Sequence, residues 1–143
     1  MSYRFLEDMS IADVAFEAEG KTLEELFEGS ALAVTNTMVK DVRSIEQKTS
    51  KSIEVRAENV EMLLFHFLQE LIFYKDAELL LFSKFDLAIE QKNRAWHLRG
   101  KASGEQMSAG RHELLVDVKA VSLYKFRVEK AAGGWQATVV VDV

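Results

Sequence analysis

The chain has 143 residues, 48% of them hydrophobic and 29% charged, which suits one hydrophobic core and predicts a single domain over residues 1–143. It contains no cysteine, which excludes a disulfide framework, a thiolate zinc site and a cysteine nucleophile. The net charge of −5 argues against a tight direct grip on nucleic acid, where Lys and Arg must neutralise phosphate. No stretch reaches the roughly 18 apolar residues that suggest a spanning helix. Met1 to Asp8 lacks the basic-then-apolar order of a signal peptide, so the expected compartment is the cytoplasm, with no membrane partner.

Ala12 to Glu19 alternates in the two-residue period of a half-buried strand, with Val14, Phe16 and Ala18 on one face and Asp13 on the other. Gly20 and Lys21 end it. Thr22 and Glu25 form a capping box that opens a helix, and Leu23, Leu26, Phe27, Ser30, Ala31, Val34 and Met38 carry its apolar stripe to about Val39. Lys40 to Lys51 reads as a loop, followed by a strand through Ile53, Val55 and Ala57. A second helix runs from Asn59, a suitable N-cap, to about Lys75. Its broad apolar face predicts the central helix of the fold.

Strands then follow over Leu81 to Gln91 and Trp96 to Ser103, turning at Asn93. Gly104 to Gly110 is expected to be a mobile loop. Leu114, Val116 and Val118 predict a further strand, with a bend near Ala120 before another over Leu123 to Lys130. Gly133 and Gly134 supply the turn into a last strand that places Trp135, Ala137, Val139 and Val141 on one face and Asp142 on the other. The sum is an α+β protein, two helices packed on a largely antiparallel β-sheet.

Nucleophile elbow, phosphate-binding loop and dinucleotide fingerprint are all absent. The three histidines are far apart and read as surface or interface residues, so a metal here would be held by oxygen. Asp13 and Asp142 interrupt apolar strands in which aspartate is disfavoured. Either each faces solvent, or the fold brings them together and they suit a hard divalent cation such as Mg²⁺ or Ca²⁺. Lys119 interrupts the strand-like run Val116 to Val121 and reads as a snorkelling or solvent-facing lysine. Glu105, Arg111, His112 and Glu113 flank the glycine-bounded loop, and the aromatic segment Phe65 to Tyr74 reads as core rather than as a base-stacking platform.

Several segments together resemble the archease family over nearly the whole chain. They are Ser10 to Phe16, Gly20 to Phe27, Leu63 to Glu70, Tyr74 to Glu78, Leu81 to Ser83, Gly104-Glu105, Arg111 to Glu113, Asp117 to Val121 and Val141 to Val143. The resemblance implies an accessory protein that binds divalent metal and promotes an RtcB-type tRNA-splicing RNA ligase, assisting its guanylylation and restoring it for further turnovers, with RNA met only through the ligase. It implies Asp13 and Asp142 as metal carboxylates with the Val141 carbonyl beside them, and Lys119 as a contact to the ligase or its nucleotide. His112 and Glu105 match family positions and are grouped with Lys119 on the partner side. The sequence departs from the family pattern in lacking a histidine-threonine pair before Ala12-Asp13, in carrying Tyr124 where histidine is frequent, and in lacking a proline after Glu105. Two other classes stand beside this reading: a metal-dependent phosphoester or nucleotide hydrolase built on the same aspartates, and a holdase-like chaperone.

Overall fold

The computed structural model describes residues 1–7 and 13–143. The approach Ser10-Ile11-Ala12 to the first aspartate therefore lies outside the described residues. The chain order is β1 (Ser2–Leu6), β2 (Asp13–Gly20), α1 (Leu23–Met38), a 3-10 turn (Val42–Ser44), β3 (Thr49–Ala57), α2 (Val60–Glu78), β4 (Leu80–Lys92), β5 (Ala95–Gln106), β6 (Ala120–Ala131) and β7 (Gly134–Asp142).

The strands form two antiparallel sheets, one ordered β1-β2-β7-β6 and the other β3-β5-β4. Both helices touch both sheets, so one apolar core fills the space between them. Phe16, Leu26, Phe27, Leu64, Phe67, Leu68 and Leu98 are fully buried there. Truncating Phe27 or Phe67 to alanine would cost about 3–5 kcal/mol.

Local chemistry explains where the helices start. The Thr22 hydroxyl accepts the Glu25 N–H at 3.1 Å, and the Asn59 side chain accepts the Met62 N–H at 2.8 Å, each answering an otherwise unpaired amide of the first turn. α2 ends where Leu79 takes a left-handed φ of 58°.

The helices reverse the expected roles. α1 is the more enclosed, buried along Gly29, Ser30, Ala31, Ala33 and Val34 as well as along its larger apolar stripe. Small side chains let neighbouring backbone approach α1 from several sides. Its polar groups are answered internally, Ser30 donating to the Leu26 carbonyl and Thr37 to that of Ala33, while Thr35 donates to the Phe82 carbonyl of β4 at 2.9 Å.

Four other expectations change. β1 went unread because its short SYRFL segment carries only Tyr3 and Phe5 as an alternating apolar pair. β3 begins at Thr49, inside the polar stretch assigned to a loop, because backbone pairing with Ser103 and Gly104 needs no apolar side chain. Gly104 belongs to β5 rather than to a loop, and a Cβ there would overlap the Leu81 carbonyl oxygen. Leu114 to Val118 is not a strand: one bridge joins Leu114 to Val39, and of the alternating trio only Val118 is buried.

Candidate functional site

Asp13 opens β2 and Asp142 closes β7, and the antiparallel register sets them directly opposite each other. Val14 faces Val141 and Phe16 faces Val139 on the core side of the same pair, so strict alternation turns both aspartates to the other face. Both are half-buried. Directly opposed like charges weaken a strand pair, which gives the arrangement an energetic cost unless something positive sits between or beside them.

Asp142 also faces Ala120 of β6, and its backbone carbonyl accepts the Lys119 N–H at 2.8 Å. That bond fixes the exposed Lys119 at the same end of the sheet as the two carboxylates. Val141 is fully buried, facing Val14 of β2 and Val121 of β6 in the ladder. Among the described residues no third acidic or histidine side chain joins them in a cluster able to hold a metal ion. Two opposed carboxylates fit the oxygen preference of Mg²⁺ or Ca²⁺, with six or more positions to fill, so most of an ion's coordination would come from water or from another molecule.

Glu105 and His112 are placed elsewhere and differently. Glu105 is 5% exposed and His112 3%. One Glu105 oxygen, Oε2, accepts the Glu46 N–H at 2.7 Å, Arg111 Nη2 at 2.6 Å and His112 Nε2 at 3.0 Å. The Ser108 N–H donates to His112 Nδ1 at 3.0 Å, so the ring carries its proton on Nε2 and gives it to Glu105. The Glu46 amide first, then Arg111 and His112, hold the Glu105 carboxyl down to about 2 against the opposing effect of burial. This network pins the 106–113 segment to the chain before β3. A group so enclosed meets a partner only through what it positions, here Arg111, whose side chain is 43% exposed. The loop is tied rather than loose, and His112 is a core residue rather than a surface one.

Beside it lies a cleft of about 580 Å³ lined by Lys48, Lys51, Glu78, Glu105, Met107 and Arg111 among others. Lys51 pairs with Glu78, and Lys48 and Arg111 pair with Glu46 and Glu105, so its charges cancel internally.

One residue was overlooked in the sequence. Lys75, only 3% exposed, pairs with its α2 neighbour Asp76 at 2.5 Å and reaches Asp117 beyond the helix at 2.6 Å. Burial works to lower its pKa, but Asp117 and then Asp76 outweigh it, so the net shift is upward. Lys75 thus ties down the irregular 114–119 strap that ends in Lys119. The signal was present: Lys75 continues the apolar face of Leu64, Leu68 and Leu71 at helical spacing, a position from which lysine is normally absent unless paired.

Fold and site together define a class: an α+β protein of two antiparallel sheets closed around two helices, with an aspartate pair in direct register across β2 and β7. The profile of the Archease protein family (MTH1598/TM1083) matches residues 3–143. Protein archease of Pyrococcus furiosus is 42% identical over 133 residues, 92% of this chain and 93% of that protein. That of Methanosarcina mazei is 34% identical over 142 residues, 99% of this chain and 95% of that protein. The solution structure of Methanobacterium thermoautotrophicum protein 1598 matches with a TM-score of 0.85 at 35% identity, covering 99% of this chain and 98% of that one. The crystal structure of TM1083 from Thermotoga maritima, described as an archease and possible chaperone, matches with a TM-score of 0.62 at 16% identity over 96% of each chain, a likeness of fold alone. This chain belongs to the archease family.

Proposed function

We propose that this protein is a divalent-metal-binding accessory factor, without a reaction of its own, that promotes guanylylation and repeated turnover of an RtcB-type tRNA-splicing RNA ligase. The observation that carries the reading is the direct register of Asp13 with Asp142, two like charges set opposite each other at one end of a sheet. An ion held by only two side chains keeps open positions, which suits delivery to phosphate oxygens in another protein's site rather than hydrolysis in this one. Mg²⁺ or Ca²⁺ would neutralise triphosphate charge there. This chain's own part is to hold the carboxylates in register, to keep Lys119 beside them through the Asp142 carbonyl, and to fix the strap through Lys75 and Asp117.

The test is RNA-joining and guanylylation turnover by a cognate ligase, with wild type, Asp13→Ala, Asp142→Ala and Lys119→Ala. Stimulation by wild type that the folded aspartate variants lose supports the reading. An active ligase that wild type leaves unstimulated ends it. A hydrolase is disfavoured because no additional acidic or histidine side chain joins the pair, among the described residues, to act as a base. Phosphoester turnover without ligase, abolished by Asp142→Ala, would revive it.

A second reading, a chaperone-like binder, has one observation in its favour: Leu114, Leu115 and Val116 are consecutive and 40–51% exposed. Suppression of client aggregation that is lost in Leu115→Ser and unaffected by Asp142→Asn would establish it.

A further inference from the structure

The two sheets end in four edge strands, and the fold treats one of them unlike the rest. β1, an edge of the four-stranded sheet, is only five residues long. At the other edge of that sheet, β6 shifts register between Ser122 and Arg127 in a bulge of residues 123–126, and the Val121 N–H donates to Gln69 Oε1 at 2.8 Å. On β4, the Ile89 N–H donates to Glu24 Oε2 at 3.1 Å and the Phe82 carbonyl accepts from the Thr35 hydroxyl. Shortness, bulges and covering side chains close an edge to further pairing. β3 shows none of them among the described residues: it is nine residues long, keeps an unbroken register with β5, and has no side chain bonded to its backbone. Nor does α2 fill the space beside it. A groove of about 410 Å³ runs between Val55 and Arg56 of β3 and His66, Gln69, Glu70 and Phe73 of α2. Phe73 is 57% exposed. A groove along an open strand edge, apolar at Val55 and Phe73, is the form of site that accepts an added strand.

The charges on β3 say which strand fits. Ser52, Glu54 and Arg56 are exposed on its outer face, while Ile53 and Ala57 are buried on the other. Neither Glu54 nor Arg56 makes an ion pair among the described residues. A second copy of β3 can lie antiparallel against the first about a two-fold axis, so that each contact occurs twice. An axis centred on Glu54, or on Arg56, sets that residue against its own like charge, which is unfavourable. Centred on Val55, the axis sets Glu54 of each copy opposite Arg56 of the other, Val55 opposite Val55 at the groove, and Ile53 opposite Ala57. The neighbouring strand extends the match, because Arg99 of β5 stands beside Glu54 in register. The row across the joined sheet then runs Arg99, Glu54 and the second copy's Arg56, positive, negative and positive.

We propose that β3 is a self-pairing edge, through which two copies of this chain join in the register centred on Val55 to form one continuous sheet of order β4-β5-β3-β3-β5-β4. The segment Glu54-Val55-Arg56 is its own complement in that register, and its charges select against the neighbouring ones. The aspartate pair lies on the other sheet, so the dimer carries two such pairs outside the contact. The inference goes beyond the ligase reading and does not depend on it.

The experiment is sedimentation equilibrium of the full chain over about 1 to 500 µM, a range suited to a small interface, where wild type is expected to dimerise with a Kd on the order of 10 µM. Glu54→Arg and Arg56→Glu each set like charges opposite one another at both ends of the axis, and each should weaken the dimer at least about tenfold. An equimolar mixture of the two variants should recover it, because every reversed charge then meets its opposite, and so should the double variant Glu54→Arg/Arg56→Glu. Both side chains are exposed, which keeps these substitutions clear of the core. The chain has no cysteine, so Val55→Cys tests the register directly. Mild oxidation should link two Val55→Cys chains by a disulfide, whereas Lys84→Cys, on the far edge strand of the same sheet, should stay unlinked. Wild type that remains monomeric throughout overturns the proposal, as does a dimer indifferent to both charge reversals. Protection of β3 amides from hydrogen exchange only when another protein is added would also overturn it, and would give this edge to a strand of that protein.

Discussion

Two groups of carboxylates in this molecule are treated in opposite ways. Glu105 is buried and saturated, one oxygen accepting from a backbone amide, a guanidinium and an imidazole. Asp13 and Asp142 are half-buried and face each other across a strand pair. A carboxylate surrounded by donors lowers the free energy of the fold and has little left to offer a ligand. Two carboxylates in direct register repel each other, and under the metal reading a cation between them would relieve that repulsion. The contrast separates an acid that holds the structure from acids that the structure holds.

The largest expected effect tests the second half of that contrast. Under the metal reading, Mg²⁺ or Ca²⁺ at a hundredfold excess over its Kd should stabilise wild type by about 2.7 kcal/mol, seen as a rise in Tm. Asp13→Asn and Asp142→Asn should abolish that rise and reduce ligase stimulation at least about tenfold. A metal-dependent rise in Tm that survives both substitutions would place any bound ion elsewhere.

Next in size is the tie between helix and strap. Lys75→Met removes the shared cation from Asp76 and Asp117. Breaking a buried pair costs about 3–5 kcal/mol, but both carboxylates here are more than half exposed, so the expected loss is about 2 kcal/mol. A lowered urea midpoint with an unchanged m-value would show it. An unchanged midpoint would mean that the strap is held without Lys75, by Val118 packing and by the backbone bonds of Leu115 and Lys119.

Glu105 supplies a pH signature. Its carboxyl titrates near 4.5 when unperturbed and about 2 in the folded protein. The folded value is the lower one, so the stability Glu105 contributes is present above about pH 4.5 and is lost as pH falls toward 2. Unfolding measured between pH 5 and pH 2.5 should show a steeper decline in wild type than in Glu105→Gln. Parallel curves would remove Glu105 from the acids that hold the fold.

The sequence disclosed these regions unequally, for physical reasons. The aspartate pair was half legible: alternation put Asp13 and Asp142 on the faces opposite the apolar residues, but their meeting depends on strand order, a long-range property that local period cannot report. The helix starts at Thr22 and Asn59 were legible because capping is local chemistry, and the Gly133-Gly134 turn because Gly133 sits at a φ of 80°. Leu114 to Val118 misled because its apolar alternation mimics a strand while most of it stays exposed. His112 was read as a surface or interface residue because its burial rests on contacts to Glu105 and to the Ser108 amide that spacing along the chain does not report. The β6 bulge was invisible for a related reason: nothing in Leu123 to Phe126 marks a break in register, and the expected bend fell at Ala120 instead.

The smallest effect gives the sharpest form of the comparison, because it turns on sign rather than size. In metal-free buffer at neutral pH, Asp142→Asn removes one of two directly opposed charges while keeping the side chain's shape. It should raise stability by about 0.5 kcal/mol, the scale of a cross-strand pair. Glu105→Gln removes one charge with the same economy of shape, yet it replaces an acceptor oxygen with an amide that meets donors already aimed at it, and it should lower stability. Paired denaturant curves on the two variants therefore move in opposite directions if the carboxylates have opposite roles. Destabilisation by Asp142→Asn in the absence of metal would place that carboxylate with Glu105 among the acids that hold the fold, and the case for a waiting cation site at this end of the sheet would fall with it.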